Sequence, residues 1–283
     1  MKTLLKWAGR TLVAVPVLIL LSAGFVFLRS STLLTERHRK PVVHRLAVTG
    51  SPEQLARGRH LADVAGCRDC HGADLTGRLF HDEPNIARIW APNLTLVARD
   101  WSAEDIDRAL RHGVRSDGKG LWVMPSSAFA QLEDADAAAL IAYLKAQPPR
   151  GPERPRTAVG PVGRLGVVLG KFRGEVTTLK ETRRRALDLG PAHAAGRYRA
   201  EIACAECHGA DLAGGVAMKA PDLAIAASYD LPAFTRLMRT GLAADGKPRG
   251  LMSAVARARF AHFSDAEIAE LHAYLTARAE KQP

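Results

Sequence analysis

The distribution of apolar and polar positions divides the chain before any single residue does. A short basic start, Met1 to Arg10, runs into an uncharged stretch from Thr11 to Leu28. Eighteen helical residues at a rise of about 1.5 Å reach about 27 Å, close to the thickness of a hydrocarbon core. The stretch predicts a transmembrane helix, in which Pro16 is tolerable. The competing reading is a cleavable leader with Leu21-Ser22-Ala23 as its small-residue site. The apolar run continues past that site to Leu28, which favours an uncleaved anchor.

From Pro41 onward the spacing becomes that of a soluble helical protein. Ser51-Pro52-Glu53 marks a helix start, and Leu55, Leu61, Ala62 and Val64 come after it. A long stretch that reads as irregular comes next. Ser102 then caps a helix through about Arg111, with Trp101, Ile106 and Leu110 on one face and Gly113 ending it. A third helix, from about Asp134 to Ala146, stops before Pro148-Pro149. The expected fold class is all-α.

The same pattern is written twice. Trp101 to Met124 aligns without a gap on Tyr229 to Met252. Arg108, Arg111, Gly113, Asp117-Gly118-Lys119 and Met124 face Arg236, Arg239, Gly241, Asp245-Gly246-Lys247 and Met252. Ala91-Pro92-Asn93-Leu94 returns as Ala220-Pro221-Asp222-Leu223, and Gly58-Arg59 as Gly196-Arg197. The closing helix returns from Ser264 to Ala277, opened by a Ser264-x-x-Glu267 capping box. The expected organisation is an anchor at 1–40, a first domain at 41–149, a linker at 150–190 and a second domain at 191–283.

Charge fits this division. The chain carries a net +11, but residues 1–40 hold a net +6 and residues 150–200 about +8, whereas the two domain stretches are slightly acidic. The basic residues therefore sit in the anchor and the linker, where they suit a membrane surface better than nucleic acid. No nucleic-acid-binding motif is present, so no nucleic-acid partner is expected. The linker is rich in Pro, Gly and Arg and contains an apolar piece, Val162 to Phe172. It reads first as a connector packed on the domains, and second as an amphipathic segment touching a membrane or partner.

All four cysteines fall in two pentapeptides, Cys67-Arg68-Asp69-Cys70-His71 and Cys204-Ala205-Glu206-Cys207-His208. Each is followed by Gly-Ala-Asp-Leu. C-x-x-C-H is the attachment sequence of c-type haem: two thiols form thioethers to the porphyrin, and the histidine stands beneath the iron. The expected cofactors are two covalently bound haem c groups, on Cys67 and Cys70 and on Cys204 and Cys207, with His71 and His208 as proximal iron ligands. A zinc site would need the widely separated pairs to meet, a redox dithiol wants a βαβ context, and plain disulfides give the histidines no purpose.

An iron closed on its other face usually takes Met or His. Met124 is the only methionine in the first domain, so a thioether there is Met124. In the second, Met218 lies close after His208, and Met238 aligns with the apolar Leu110. Met252 aligns with Met124 and is the choice. Other histidines, such as His112, His262 and His272, matter only if one iron is bis-histidine. A proximal histidine normally donates its second ring N–H to a carbonyl. Pro92 and Pro221 are the candidates for that acceptor, and are otherwise ordinary loop prolines.

With C-x-x-C-H, Ala91 to Thr95, Trp101-Ser102-x-Glu104-Asp105, Asp117 to Lys119, Met124-Pro125 and the final Ala-Tyr-Leu helix, the chain resembles class I cytochromes c. More narrowly it resembles the membrane-anchored multi-haem cytochrome subunits of bacterial periplasmic dehydrogenases, of the alcohol and gluconate type. The resemblance covers about residues 50–147 and 190–280. It implies two tandem helical haem domains, held at the periplasmic face of the cytoplasmic membrane, because covalent haem attachment in this family is made outside that membrane. It implies electron transfer rather than catalysis, from a periplasmic dehydrogenase to a respiratory acceptor, either oxidase or quinone. The alternative is a di-haem enzyme, a peroxidase or thiosulfate-oxidising cytochrome, with one open iron. The chain departs from the pattern in having two haem motifs where those subunits commonly have three, and Ser253 where a proline is expected.

Overall fold

In the computed structural model, residues 2–182, 184–215 and 218–281 are described. Helix α1 spans Lys2–Leu34 and runs unbroken through Pro16. Its stretch Leu12–Leu34, with a mean hydropathy of 2.3, is long and apolar enough to cross a membrane. The large side chains from Leu12 to Leu28 stand exposed, with no protein core to cover them.

The first unit opens with α2 (Pro52–Val64). Proline occupies its first turn, and Ser51 Oγ accepts from the Gln54 N–H at 3.2 Å. One turn of helix, α3 (Cys67–His71), carries the first pentapeptide. After α4 (Leu94–Asp100) comes α5 (Ala103–His112), capped by Ser102 and closed by Gly113 at φ +66°. A short α6 (Ser126–Phe129) and α7 (Asp134–Lys145) complete the unit. Helix α2 crosses α7 so closely that a Cβ on Gly58 would overlap the Ala139 carbonyl. The glycine is what lets the two backbones meet.

The expectation of an all-α fold needs correction. Between α3 and α4, strands β1 (Arg78–Glu83) and β2 (Ala87–Ala91) form an antiparallel hairpin with an irregularity between Leu79 and His81. The linker adds β3 (Ala158–Val159) beside β2, giving a three-stranded sheet in the order β1-β2-β3. The strands escape a periodicity reading because β1 buries no face and therefore shows no apolar alternation. Ile86, Ile89 and Trp90 beyond the Pro84-Asn85 turn were the available β signal.

The linker continues as α8 (Pro161–Val168), packed on α1, and α9 (Glu175–Glu181), packed on α5 and α6. Its end joins the second unit, where Tyr274 Oη donates to the Leu187 carbonyl at 3.0 Å. The second unit repeats the first with α10 (Ala194–Ala203), α11 (Ala205–His208), α12 (Leu231–Thr240), α13 (Leu251–Ala258) and α14 (Asp265–Lys281). Helix α10 crosses α14 at Gly196, which lies against the Glu270 carbonyl as Gly58 lies against Ala139. The capping box is closed in both directions: Ser264 Oγ accepts from Glu267 N–H (3.2 Å), and Glu267 Oε2 accepts from Ser264 N–H (2.9 Å).

The two units share one hydrophobic core. Around it, Arg57 and Tyr198 both donate to Asp136, and His60 meets Glu267 Oε1 at 3.0 Å across the interface. Burial opposes ionisation of Glu267, but the hydrogen bonds from His60 and the Ser264 N–H outweigh it and hold its carboxyl at about 2.

Gly58→Ala should force α2 and α7 apart and cost the first unit about 1–3 kcal/mol, as overpacking does. Gly196→Ala should do the same to the second, each read as a lowered thermal midpoint. Because Glu267 sits below its ordinary 4.5, its stabilising effect is present above pH 4.5 and is lost as pH falls towards 2. Glu267→Gln should flatten that acid limb in denaturation curves taken across the same range.

Candidate functional site

Each histidine is placed by a chain of local constraints that starts in Gly-Ala-Asp-Leu. The Leu75 N–H donates to the Gly72 carbonyl at 2.9 Å, and Leu212 N–H does the same to Gly209. Asp74 Oδ1 accepts from the Thr76 N–H, and Asp211 Oδ1 from Ala213 N–H. The turn forces Leu75 and Leu212 to φ +63° and +62°. That conformation costs a non-glycine residue about 1–2 kcal/mol. Near-complete burial of both leucine side chains holds it.

Each left-handed leucine then supports the Ala-Pro-Asx-Leu segment. Leu94 N–H donates to the Leu75 carbonyl (2.8 Å), and Leu223 N–H to Leu212 (3.0 Å). Asn93 and Asp222 cap the helical turns that begin just after them, accepting from Thr95 N–H and Ala224 N–H. Asn93 Nδ2 also reaches the Arg150 carbonyl at 2.7 Å, and Asp222 pairs with the buried Arg278 at 2.8 Å. The proline carbonyl just before each cap is thereby fixed. His71 Nδ1–H donates to the Pro92 carbonyl at 2.9 Å, and His208 Nδ1–H to Pro221 at 2.8 Å. A carbonyl can only accept, so Nδ1 carries the proton in both rings. Burial lowers the pKa of both histidines, against the opposing hydrogen bond, so they are neutral with Nε2 bearing a lone pair.

The four cysteines form no disulfide and lie on, or at the start of, the same two helical turns. Burial pushes Cys67 and Cys204 up to about 12, Cys70 to about 11, and Cys207 upward. A redox dithiol needs the opposite, a depressed pKa. Among the described residues no three His, Cys, Asp or Glu side chains gather as a metal cluster, so the two pairs do not assemble a zinc site. Two cysteines one turn apart, beside a neutral imidazole with a free Nε2, fit covalent haem c.

The methionines occupy unlike settings. Met124 comes after the Asp117-Gly118 turn and stands just before Pro125, in non-helical chain that packs on the core. The linker braces this loop: the Glu175 N–H donates to the Leu121 carbonyl, and Glu175 Oε2 accepts from Ser127 N–H at 2.7 Å. Met252 also packs on the core, but in the first turn of α13. Pro125 bars its predecessor from the α region, whereas Ser253 does not, so the second helix begins earlier. Ser253 Oγ then ties that helix to the Gly241 carbonyl at 2.5 Å. Met238 is buried in α12, and Met218 is half exposed. His272 Nε2 donates to the Tyr229 carbonyl, and His262 is exposed.

One residue that sequence reasoning missed joins both sites. Arg259 is 8% exposed; its Nε donates to Asp69 Oδ2 at 2.5 Å and its Nη1 to Glu206 Oε2 at 2.8 Å. Those carboxylates hold the same position in the two pentapeptides. Burial works against the charge on Arg259, but Glu206 and Asp69 outweigh it and raise its pKa. Gly66, just before Cys67, lies flat against the guanidinium, where a Cβ would overlap it. The acid in each C-x-x-C was the available signal. Its partner, 190 residues from Asp69, has no counterpart in the repeat to reveal it.

Comparison with known proteins finds a family model similar to each unit. Residues 53–144 match the family described as cytochrome c oxidase, cbb3-type, subunit III, and residues 194–278 match cytochrome c. The fructose dehydrogenase cytochrome subunit of Gluconobacter japonicus is 27% identical over 78% of this chain and 52% of its own length. A diheme cytochrome c-type protein of Cereibacter sphaeroides is 29% identical over 56% of this chain and 58% of its own. The gluconate 2-dehydrogenase cytochrome c subunit of Pantoea cypripedii is 34% identical over 32% of this chain and 22% of its own. The chain thus spans about half the length, or less, of these relatives. It has two cytochrome c domains with two covalently bound haem c groups.

Met124→Ala should open one iron and lower its potential, read as a new high-spin signal and loss of half of the methionine–iron charge-transfer band. Unchanged spectra would remove Met124 from the ligand set. Met252→Ala tests the second iron in the same way.

Proposed function

We propose that this multi-haem cytochrome c, which resembles the cytochrome subunits of bacterial dehydrogenases, relays single electrons from a periplasmic dehydrogenase towards a terminal oxidase or the quinone pool. In this reading α1 anchors it in the cytoplasmic membrane, with both domains in the periplasm. Cys67, Cys70, Cys204 and Cys207 hold the haems; His71 with Met124, and His208 with Met252, take the axial positions. Haem c so ligated supplies reversible one-electron exchange with no open coordination site, at a potential raised by the thioether.

The observation that carries the relay is Arg259. One buried cation binds an acid from each attachment turn, so the two haem-bearing turns α3 and α11 are tied to a single guanidinium. Two units that worked separately would have no use for this. The chain's other contributions are static. Pro92 and Pro221 fix ring orientation and keep each Nε2 free of its proton, and the shared core excludes water.

A second reading, the di-haem enzyme, draws support from the helical setting of Met252. A methionine committed to a helix turn is less free to swing onto an iron than one on a loop, so an open iron would be the second. Resting EPR distinguishes the two: two low-spin signals support the relay, while a stable high-spin haem with peroxide turnover overturns it. Recovery of a dehydrogenase with the protein from mildly solubilised membranes, identified by mass spectrometry, names the donor.

Arg259→Met should leave both haems attached but lower both midpoint potentials, by on the order of tens of millivolts, because the lost cation favoured the reduced form. Spectroelectrochemical titration reads the two waves separately. A shift confined to the second would reduce Arg259 to a local residue of its own domain.

A further inference from the structure

Helix α8 lies outside both family-matched regions, and neither domain needs it to close its core. It is nevertheless firmly held. The Gly160 N–H donates to the Ile86 carbonyl and the Val162 N–H to Asn85, both at 2.9 Å, and Gly163 lies flat against Ile86. On the other side, Arg164 donates to Ser30 Oγ at 2.9 Å and Ser31 Oγ at 3.0 Å, and its guanidinium sits 4.4 Å over the Phe27 ring. Ser30 is fully buried by this contact. The helix is a splint between the hairpin turn of the first unit and the end of α1.

Its position along α1 is informative. The uncharged run ends at Leu28, and Arg29 is the first charge after it. Arg164 docks on residues just before and just after Arg29, so α8 lies at the level where the apolar span gives way to charge. The face of α8 turned away from the protein is apolar: Val162, Leu165 and Leu169 keep helical spacing and are 56%, 44% and 62% exposed. Phe172, 48% exposed, folds back over Gly166 to extend the same surface. Arg29 and Lys171 stand exposed beside it, and Arg173, also exposed, pairs with Glu181. An apolar face edged by cations is the composition of a helix lying in a lipid interface.

We propose that α8 is an interfacial helix, whose Val162, Leu165, Leu169 and Phe172 enter the headgroup–acyl boundary of the leaflet facing the haem domains. The inference rests on α1 spanning the membrane. Continuity of α8 with the end of that span commits the face to lipid rather than to a protein partner. Because the hairpin turn is bonded to α8, the helix also sets which side of the first domain faces the bilayer.

The test uses the full-length holoprotein in vesicles of phosphatidylethanolamine and phosphatidylglycerol, with spin labels on Leu165→Cys and, separately, Leu169→Cys. Leu20→Cys in α1 and Ala227→Cys on the second domain serve as references. Accessibility to nickel-EDDA at 165 and 169 should fall about fivefold below that at 227, with oxygen access retained, as expected for a helix about 5–10 Å into the interface. Nickel access equal to that at 227, while 20 is protected, overturns the proposal and leaves the anchor standing. Protection from both nickel and oxygen at 165 and 169 also overturns it, in favour of a protein cover. Nickel access at 20 itself would overturn the anchor, and the proposal with it.

Discussion

The hydrogen bond from a histidine Nδ1–H to a proline carbonyl is the constraint around which each half of the chain is arranged. It is formed twice, with nearly equal lengths, and the most costly local features serve it. A left-handed leucine is unfavourable alone, yet it occurs at the same place in both copies because its carbonyl anchors the segment that holds the proline. The asparagine or aspartate after each proline cannot turn away, since it caps the next helical turn. Backbone strain, burial and capping thus converge on one carbonyl oxygen, and that oxygen decides which nitrogen of the ring carries the proton and which keeps its lone pair.

The second level of order is electrostatic. The units are joined by ion pairs in which one member is well shielded: Arg57 and His60 with Glu267, and Arg259 between Asp69 and Glu206. Exposed pairs of this kind contribute little. Buried ones are costly to break because a charge is left without a partner. Their value here is geometric specificity. Apolar packing alone tolerates sliding, whereas a guanidinium bonded to two carboxylates does not. The interface therefore fixes a register between the domains as well as holding them together.

Much of this was legible in the sequence because it is local or repeated. Ser51, Ser102 and the Ser264–Glu267 box announce helix starts, Gly113 an end, and the paired motifs the two units. What stayed hidden depends on distant partners. Strand β3 joins a hairpin more than sixty residues earlier, and β1 buries no face, so neither leaves a periodic trace. Arg259 is one of many arginines until its two acids are seen around it. Gly58 and Gly196 stood out as a repeated pair, but only the helix crossing explains them: the facing backbone leaves no room for a Cβ.

The departures from the repeat are as informative as the matches. Proline after Met124 keeps that residue out of the helix, and the linker then supplies Glu175 to hold the loop from outside. The second unit has no such brace among the described residues; its Ser253 fastens α13 to the Gly241 carbonyl, as Ser126 fastens α6 to the Ala109 carbonyl in the first. Both methionine regions are thus tied by a serine hydroxyl, and the first is held in addition by a segment from beyond the domain. The braced loop belongs to the unit that is also bonded through β3 and α8 to the end of α1. Its rigidity is therefore continuous with α1, on which α8 packs. Two sites built from one sequence pattern acquire unequal surroundings in this way.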